Sequence, residues 1–179
     1  MEIKKYQSIN IDEQTIKNHT KTGKKIQKLA AKVNEIIIEE HNCDLMNGGC
    51  LLFAEILEEI YKKENKKSNK YKKIEKVIVG RKDNIDHIVL KIIDKYNNIY
   101  YIDADGIANE EEVIDKMIFL EQLPNTENNP IIIKKIGTNN IPENYGIINK
   151  KYNEEKTKEK IMKILSNIFK KEIKIKQLK

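Results

Sequence analysis

The chain is expected to be an α+β protein, and three observations carry that expectation. Helical periodicity fills residues 23–61, short apolar runs bounded by turn residues fill 76–103, and helical periodicity returns near the carboxyl end. From about Gly23 the apolar residues Ile26, Leu29, Ala30, Val33, Ile36 and Ile37 recur at spacings of three and four. That helix should end near "HNCD", whose residues favour turns over helix interiors. Residues 1–20 read as irregular or peripheral. A second helix opens at Cys50, with Phe53, Ala54, Leu57, Ile60 and Tyr61 on the same face as the cysteine. A face that broad implies burial on more than one side.

The following "KKENKKSNKYKK" (62–73) reads as a charged, solvated connector. Strands are expected at 76–80, 87–93 and 99–103, the last two joined by the hairpin-length turn "DKYNN". A short helix follows at 110–120, then a loop bracketed by Pro124 and Pro130, a strand at 131–136 and a loop at 141–153. A terminal amphipathic helix at 154–170 carries Ile161, Ile164, Leu165, Ile168 and Phe169 on one stripe. No repeat and no domain boundary is visible. The 179 residues read as a single domain with a core over about 23–136.

Composition narrows the class. Cys43 and Cys50 are the only cysteines, too few for a disulfide scaffold. The start "MEIKKYQSIN" has no apolar signal segment and no stretch has membrane-spanning length, so a soluble protein of the reducing cytoplasm, without a membrane partner, is expected. The net charge of +6 is almost all lysine, and arginine, the better reader of phosphates and bases, occurs only at Arg81. Lysine follows every solvated face, so nucleic acid is a possible partner but not the favoured one.

"NGGC" (47–50) before a helix is the first chemical signal. A helix N-terminus offers partial positive charge and free backbone N–H groups, which favour a thiolate at Cys50 and can hold the oxyanion of an acyl intermediate. Gly48 and Gly49 would let the chain turn sharply and let a substrate approach. The plain alternative is a small buried residue after a turn.

Of His19, His41 and His87, only His87 opens an apolar strand, "HIVLKII", beside the core helix. With the hairpin turn centred near Tyr96, Asp103 at the end of "YYID" falls roughly opposite His87, close enough to orient an imidazole. A metal site built from His41, Cys43, Cys50 and His87 lacks the paired spacing of structural zinc, so no metal and no cofactor is expected.

The order of a cysteine at a helix start ("NGGCLLFAEIL"), a histidine heading a strand ("DHIVLKI") and an aspartate ending the next ("YYIDADG") resembles the transglutaminase-like branch of the papain-like cysteine enzymes. Arylamine N-acetyltransferases are similar, except that here the glycines abut the cysteine and Asn47 stands where that family has arginine. Papain itself fits less well, since the Cys-to-His spacing is shorter and no tryptophan follows the cysteine. The resemblance covers about residues 42–107.

It implies a papain-like fold and a thiol-dependent hydrolase or acyltransferase acting on an amide, peptide or isopeptide bond of a protein or peptide. Cys50 would be the nucleophile, His87 the base and Asp103 the orienting acid. The oxyanion would be held by the Cys50 N–H with Asn47 or Asn42, and Gly49 would leave room for it. Asp105 is the fallback acid, since a two-residue step keeps one face of a strand. The competing class is a non-catalytic basic protein that grips a protein or nucleoprotein partner.

Overall fold

In the computed structural model, which describes residues 13–41, 45, 49–82, 84–136 and 159–163, a five-stranded antiparallel sheet is covered by helices on both faces. Helix α1 (Glu13–His41) and helix α2 (Cys50–Ser68) precede strands β1 (Tyr71–Arg81), β2 (Asn84–Asp94), β3 (Ile99–Asp103) and β4 (Gly106–Ala108). Helix α3 (Glu110–Glu121) and strand β5 (Ile132–Lys135) follow. The strand order is β4-β3-β2-β1-β5. The α+β expectation therefore holds at the level of class and sheet.

Burial on both faces explains the apolar run at Ile88–Leu90. Leu90, Ile92 and Ile102 pack with Leu29 and Val33 of α1 and Phe53, Ile56 and Leu57 of α2. Their neighbours in the alternation, Val89 and Tyr101, pack with Val77 and Val79 and with Val113 and Met117 of α3. A strand covered on both sides needs an unbroken apolar stretch, and β2 supplies one.

Several boundaries differ from the expectation. The charged connector at 62–73 is mostly regular structure: α2 continues to Ser68 and β1 begins at Tyr71. Lys and Glu are good helix formers, so charge alone does not end a helix. The helix stops where Asn69 takes a left-handed conformation (φ 46°), and the Asn65 side chain ties the joint by accepting the Tyr71 N–H and donating to the Tyr71 carbonyl. Helix α1 begins at Glu13, inside the stretch expected to be irregular. Strand β4 was not expected. Of the terminal helix only residues 159–163 are described, and they are helical, with Ile161 in the core beside α1 and α2. The loop expected at 141–153 lies outside the described residues.

Two close approaches fix the end of the sheet that matters below. Ala104 and Asp105 turn the chain between β3 and β4, and Gly106 (φ 122°) sits against Gly23 of α1. A Cβ at Gly106 would lie 3.3 Å from the Gly23 Cα, so the contact requires a residue without one. The Gln27 amide donates to the Asp105 carbonyl at 2.7 Å, clamping the same turn to α1. No helix among the described residues is long and apolar enough to cross a membrane.

Candidate active site

The start of α2 is held by packing rather than by a side-chain cap. Gly49 is the N-cap and has no side chain to offer, and no acidic residue stands in the first turn. Leu51, Leu52 and Phe53 are all buried. Each such side chain contributes about 1.5–3 kcal/mol against the roughly 1 kcal/mol of a good cap, so packing sets the boundary. The first-turn N–H groups then have no intrahelical acceptor, and Cys50 sits at the positive end of the helix dipole. Gly49 has an ordinary negative φ (−83°), so its conformation is open to any residue and only its small size is distinctive. Asn42, Cys43, Asn47 and Gly48 lie outside the described residues, as do the side chains of His19 and His41.

His87 reaches the site from β2. It pairs with Val79 of β1, whereas Gly80 pairs with Ile85, so Asp86 is the extra residue of a bulge directly before the histidine. Bulges twist a strand end and re-aim the next side chain. The His87 side chain is buried, its Nε2 lies 2.9 Å from Asp103 Oδ2, and it hydrogen-bonds the Cys50 side chain. With Nε2 engaged by the carboxylate, Nδ1 is the nitrogen left for sulfur.

Asp103 lies near His87 but not directly across from it. Leu90 pairs with Ile102, so the register carries Asp103 to Val89, and the histidine is two positions further along the same face. That register would set Asp105 across from His87 if β3 continued, but the chain has already turned. Asp105 instead points its exposed carboxylate to Lys116 and is 64% exposed. Asp103 Oδ1 accepts the Asp105 N–H at 2.9 Å, and Oδ2 accepts from both His87 and the Lys116 ammonium, the latter at 2.6 Å. The structure therefore joins Cys50, His87 and Asp103 in one chain of contacts and leaves Asp105 behind it.

Electrostatics follow this geometry. Burial lowers the His87 pKa, but the hydrogen bonds to Asp103 and Cys50 and their negative charges outweigh it and push the group up to about 9. Burial opposes ionisation of Asp103, yet the His87 hydrogen bond and the Lys116 charge hold its carboxyl well below the usual range. Burial likewise opposes the Lys116 ammonium, and Asp103 and Asp105 more than compensate, raising its pKa. A buried imidazolium between a carboxylate and a thiol is an arrangement that can stabilise a thiolate.

The gap at this point, too tight to hold a water, is lined by Cys50, His87 and Asp103 together with apolar walls from Leu45, Phe53, Ile88 and Ile102. Leu45 is buried there and held by its N–H, which donates to Asn34 Oδ1 at 2.8 Å. Among the described residues no group of three or more His, Cys, Asp or Glu could hold a metal ion.

Lys116 is the residue that sequence reasoning missed. Its signal was present: it stands three residues after Val113 and one before Met117, on the stripe that α3 buries against the sheet. A lysine in that position requires a carboxylate partner. No protein-family model, no curated protein and no solved structure matches this chain, so the chemistry of the site is read from its own residues.

Proposed function

We propose that the protein is a thiol-dependent acyl-transfer enzyme or amide hydrolase of papain-like, transglutaminase-like type, with Cys50 as nucleophile, His87 as base and Asp103 as orienting acid. The observation that carries this reading is the continuous hydrogen-bonded chain from Cys50 through His87 to Asp103, set at an uncapped helix N-terminus. Each part of that arrangement has a task in one reaction.

His87 takes the proton of the Cys50 thiol, and the thiolate forms a C–S bond with the carbonyl carbon of an amide. The carbonyl π electrons move to oxygen, and the oxyanion lies against N–H groups of the first turn of α2. When the carbonyl re-forms, the C–N bond breaks and His87 gives its proton to the departing amine. The thioester left on Cys50 is then cleaved by water, giving an acid, or by an amine, giving a new amide. Asp103 keeps Nε2 as a donor throughout, which leaves Nδ1 free to exchange the proton with sulfur and substrate. The chemistry fits a protein or peptide substrate without a cofactor.

The test is the pH dependence of iodoacetamide alkylation at Cys50, read by mass spectrometry in the native protein and in His87→Ala, with Cys43 as internal reference. The expected result is rapid labelling of Cys50 well below the ordinary thiol pKa of about 8.5, slowed in His87→Ala. Slow labelling of Cys50 that ignores His87 would sink the proposal.

A second reading, a non-catalytic basic protein gripping an acidic partner, draws support from the far end of the sheet. Exposed Lys66, Lys67, Lys70, Lys72 and Lys95 gather there around the end of α2 and the β2–β3 turn. Under that reading Cys50→Ala leaves binding to a single-stranded oligonucleotide intact, and binding falls steeply with salt.

A further inference from the structure

We infer that Lys116 is a positioning residue of this site, one that holds Asp103 in place and takes a share of its charge, so that His87 can both give and take a proton. The inference rests on the thiol chemistry proposed above for its consequence, though not for its electrostatics.

The geometry is unusual for a lysine that serves only to stabilise a fold. Its side chain is 15% exposed, and the ammonium reaches two carboxylates, those of Asp103 and Asp105. It meets Asp103 at Oδ2, the same oxygen that accepts from His87, while Oδ1 is occupied by the Asp105 N–H. One carboxylate oxygen thus faces two cations. Whatever negative charge Lys116 neutralises is withdrawn from the imidazolium, since both draw on one anion a few ångströms away. Asp105 works in the opposite sense, because its exposed carboxylate engages Lys116 from the solvent side and moderates its hold on Asp103.

The described groups that face His87 come from each element around it. Helix α2 contributes the Cys50 thiol and β3 the Asp103 carboxylate, which meet the imidazole directly; behind them Lys116 of α3 touches Asp103 and Asp105 touches Lys116, and β1 contributes the apolar Val79. Lys116 is the one permanent cation in that set. Without it, His87 would be clamped by an undivided carboxylate in a dry pocket and would hold its proton to a still higher pH than the about 9 it reaches with Lys116 in place. A base serves best when its pKa lies near the working pH. Lys116 brings His87 back toward that range.

The deciding experiment is an NMR titration of the His87 imidazole in the unsubstituted protein, Lys116→Met, Asp105→Asn and the double variant, with the Cys50 alkylation profile measured in parallel. Lys116→Met keeps the length and apolar stem of the side chain and should raise the His87 midpoint by about one pH unit or more. Asp105→Asn should lower it, and by less when Lys116 is already absent. Lys116→Arg should return the midpoint toward that of the unsubstituted protein. A midpoint unmoved in folded Lys116→Met overturns the inference.

If Lys116→Met does not fold, the exposed site at Asp105 decides instead, and an unmoved midpoint in Asp105→Asn overturns it equally. The titration reads Lys116 whether or not Cys50 is reactive. Failure of the thiol chemistry would be seen separately, as slow, pH-insensitive alkylation of the unsubstituted protein.

Discussion

Two turns at opposite ends of β3 begin alike and end in different chemistry. Asp94 closes β2 and Asp103 closes β3, and each uses Oδ1 to accept the N–H two residues on, from Tyr96 at 2.8 Å and from Asp105 at 2.9 Å. Each turn has a positive φ three residues after its aspartate, at Asn97 (69°) and Gly106 (122°). The second carboxylate oxygen separates them. Asp94 Oδ2 accepts the neutral amide of Asn98 in the open, whereas Asp103 Oδ2 accepts two cationic side chains in a pocket. Turn formation uses half of an aspartate, and what the other half faces decides whether the residue can do more.

The largest test of that difference is to neutralise each acid in turn. Asp103→Asn leaves the Lys116 ammonium buried with only the exposed Asp105 to balance it. Breaking a buried ion pair at one partner costs about 3–5 kcal/mol. Asp94→Asn removes a charge that solvent already screens and keeps an acceptor for the turn, so its cost should be about 1 kcal/mol or less. Urea unfolding followed by circular dichroism measures both. Equal losses at the two sites would break the comparison.

The same contrast predicts which side of the pH curve each turn controls. His87 is raised from 6.5 to about 9 in the folded protein, so its stabilising contribution is complete below about pH 6.5 and is lost as pH rises through about 9. Burial opposes ionisation of Asp94, but its hydrogen bonds with Asn98, Tyr96 and Tyr100 together outweigh it and lower the pKa from 3.8, so its contribution is present above that value and is lost as pH falls. Stability should therefore decline between about pH 6.5 and 9 in the native protein and in Asp94→Asn, and the decline should flatten in His87→Gln. A decline that persists in His87→Gln would place the titrating group elsewhere.

Much of this site was legible in the sequence because it is built from local signals. The glycine–cysteine junction, the histidine opening an apolar strand and the turn after "YYID" each announce themselves, and the hairpin centre near Tyr96 is where the observed register puts it. The offset between His87 and Asp103 follows from that same centre, which sets Asp105 across from His87; what was not legible is that β3 ends at Asp103, and that a bulge at Asp86, which leaves no trace in composition, precedes the histidine. Strand β4 is three residues held by β3 and α1, too short for a periodic pattern. The first half of β1, "YKKIEK", hides its pairing because Lys and Glu are depleted in strands, yet here their charges find partners: Glu75 meets Lys73 along its own strand and Lys135 of β5. Lys116 was overlooked for the opposite reason: its position on α3 was clear, but its partner sits a turn and a strand away in space.

The positive-φ residues give the next test, an exchange between the turns. Gly106→Asn puts a Cβ within 3.3 Å of the Gly23 backbone at φ 122°, beyond the left-handed region that asparagine tolerates. We expect it to cost about 2 kcal/mol or more and to slow Cys50 alkylation, since the turn that carries Asp103 must shift to relieve the clash. Asn97→Gly should behave quite differently. The substitution relieves a modest left-handed penalty at φ 69° but gives up the Asn97 acceptor that meets the Lys72 ammonium at 2.7 Å. It also adds backbone freedom to the unfolded chain. These effects are each a few tenths of a kcal/mol and oppose one another, so the net change should stay within about 0.5 kcal/mol of zero. Alkylation of Cys50 should be untouched, because no buried charge depends on that turn. A Gly106→Asn variant as stable and as reactive as Asn97→Gly would mean that the contact with α1 does not hold Asp103 in register with His87.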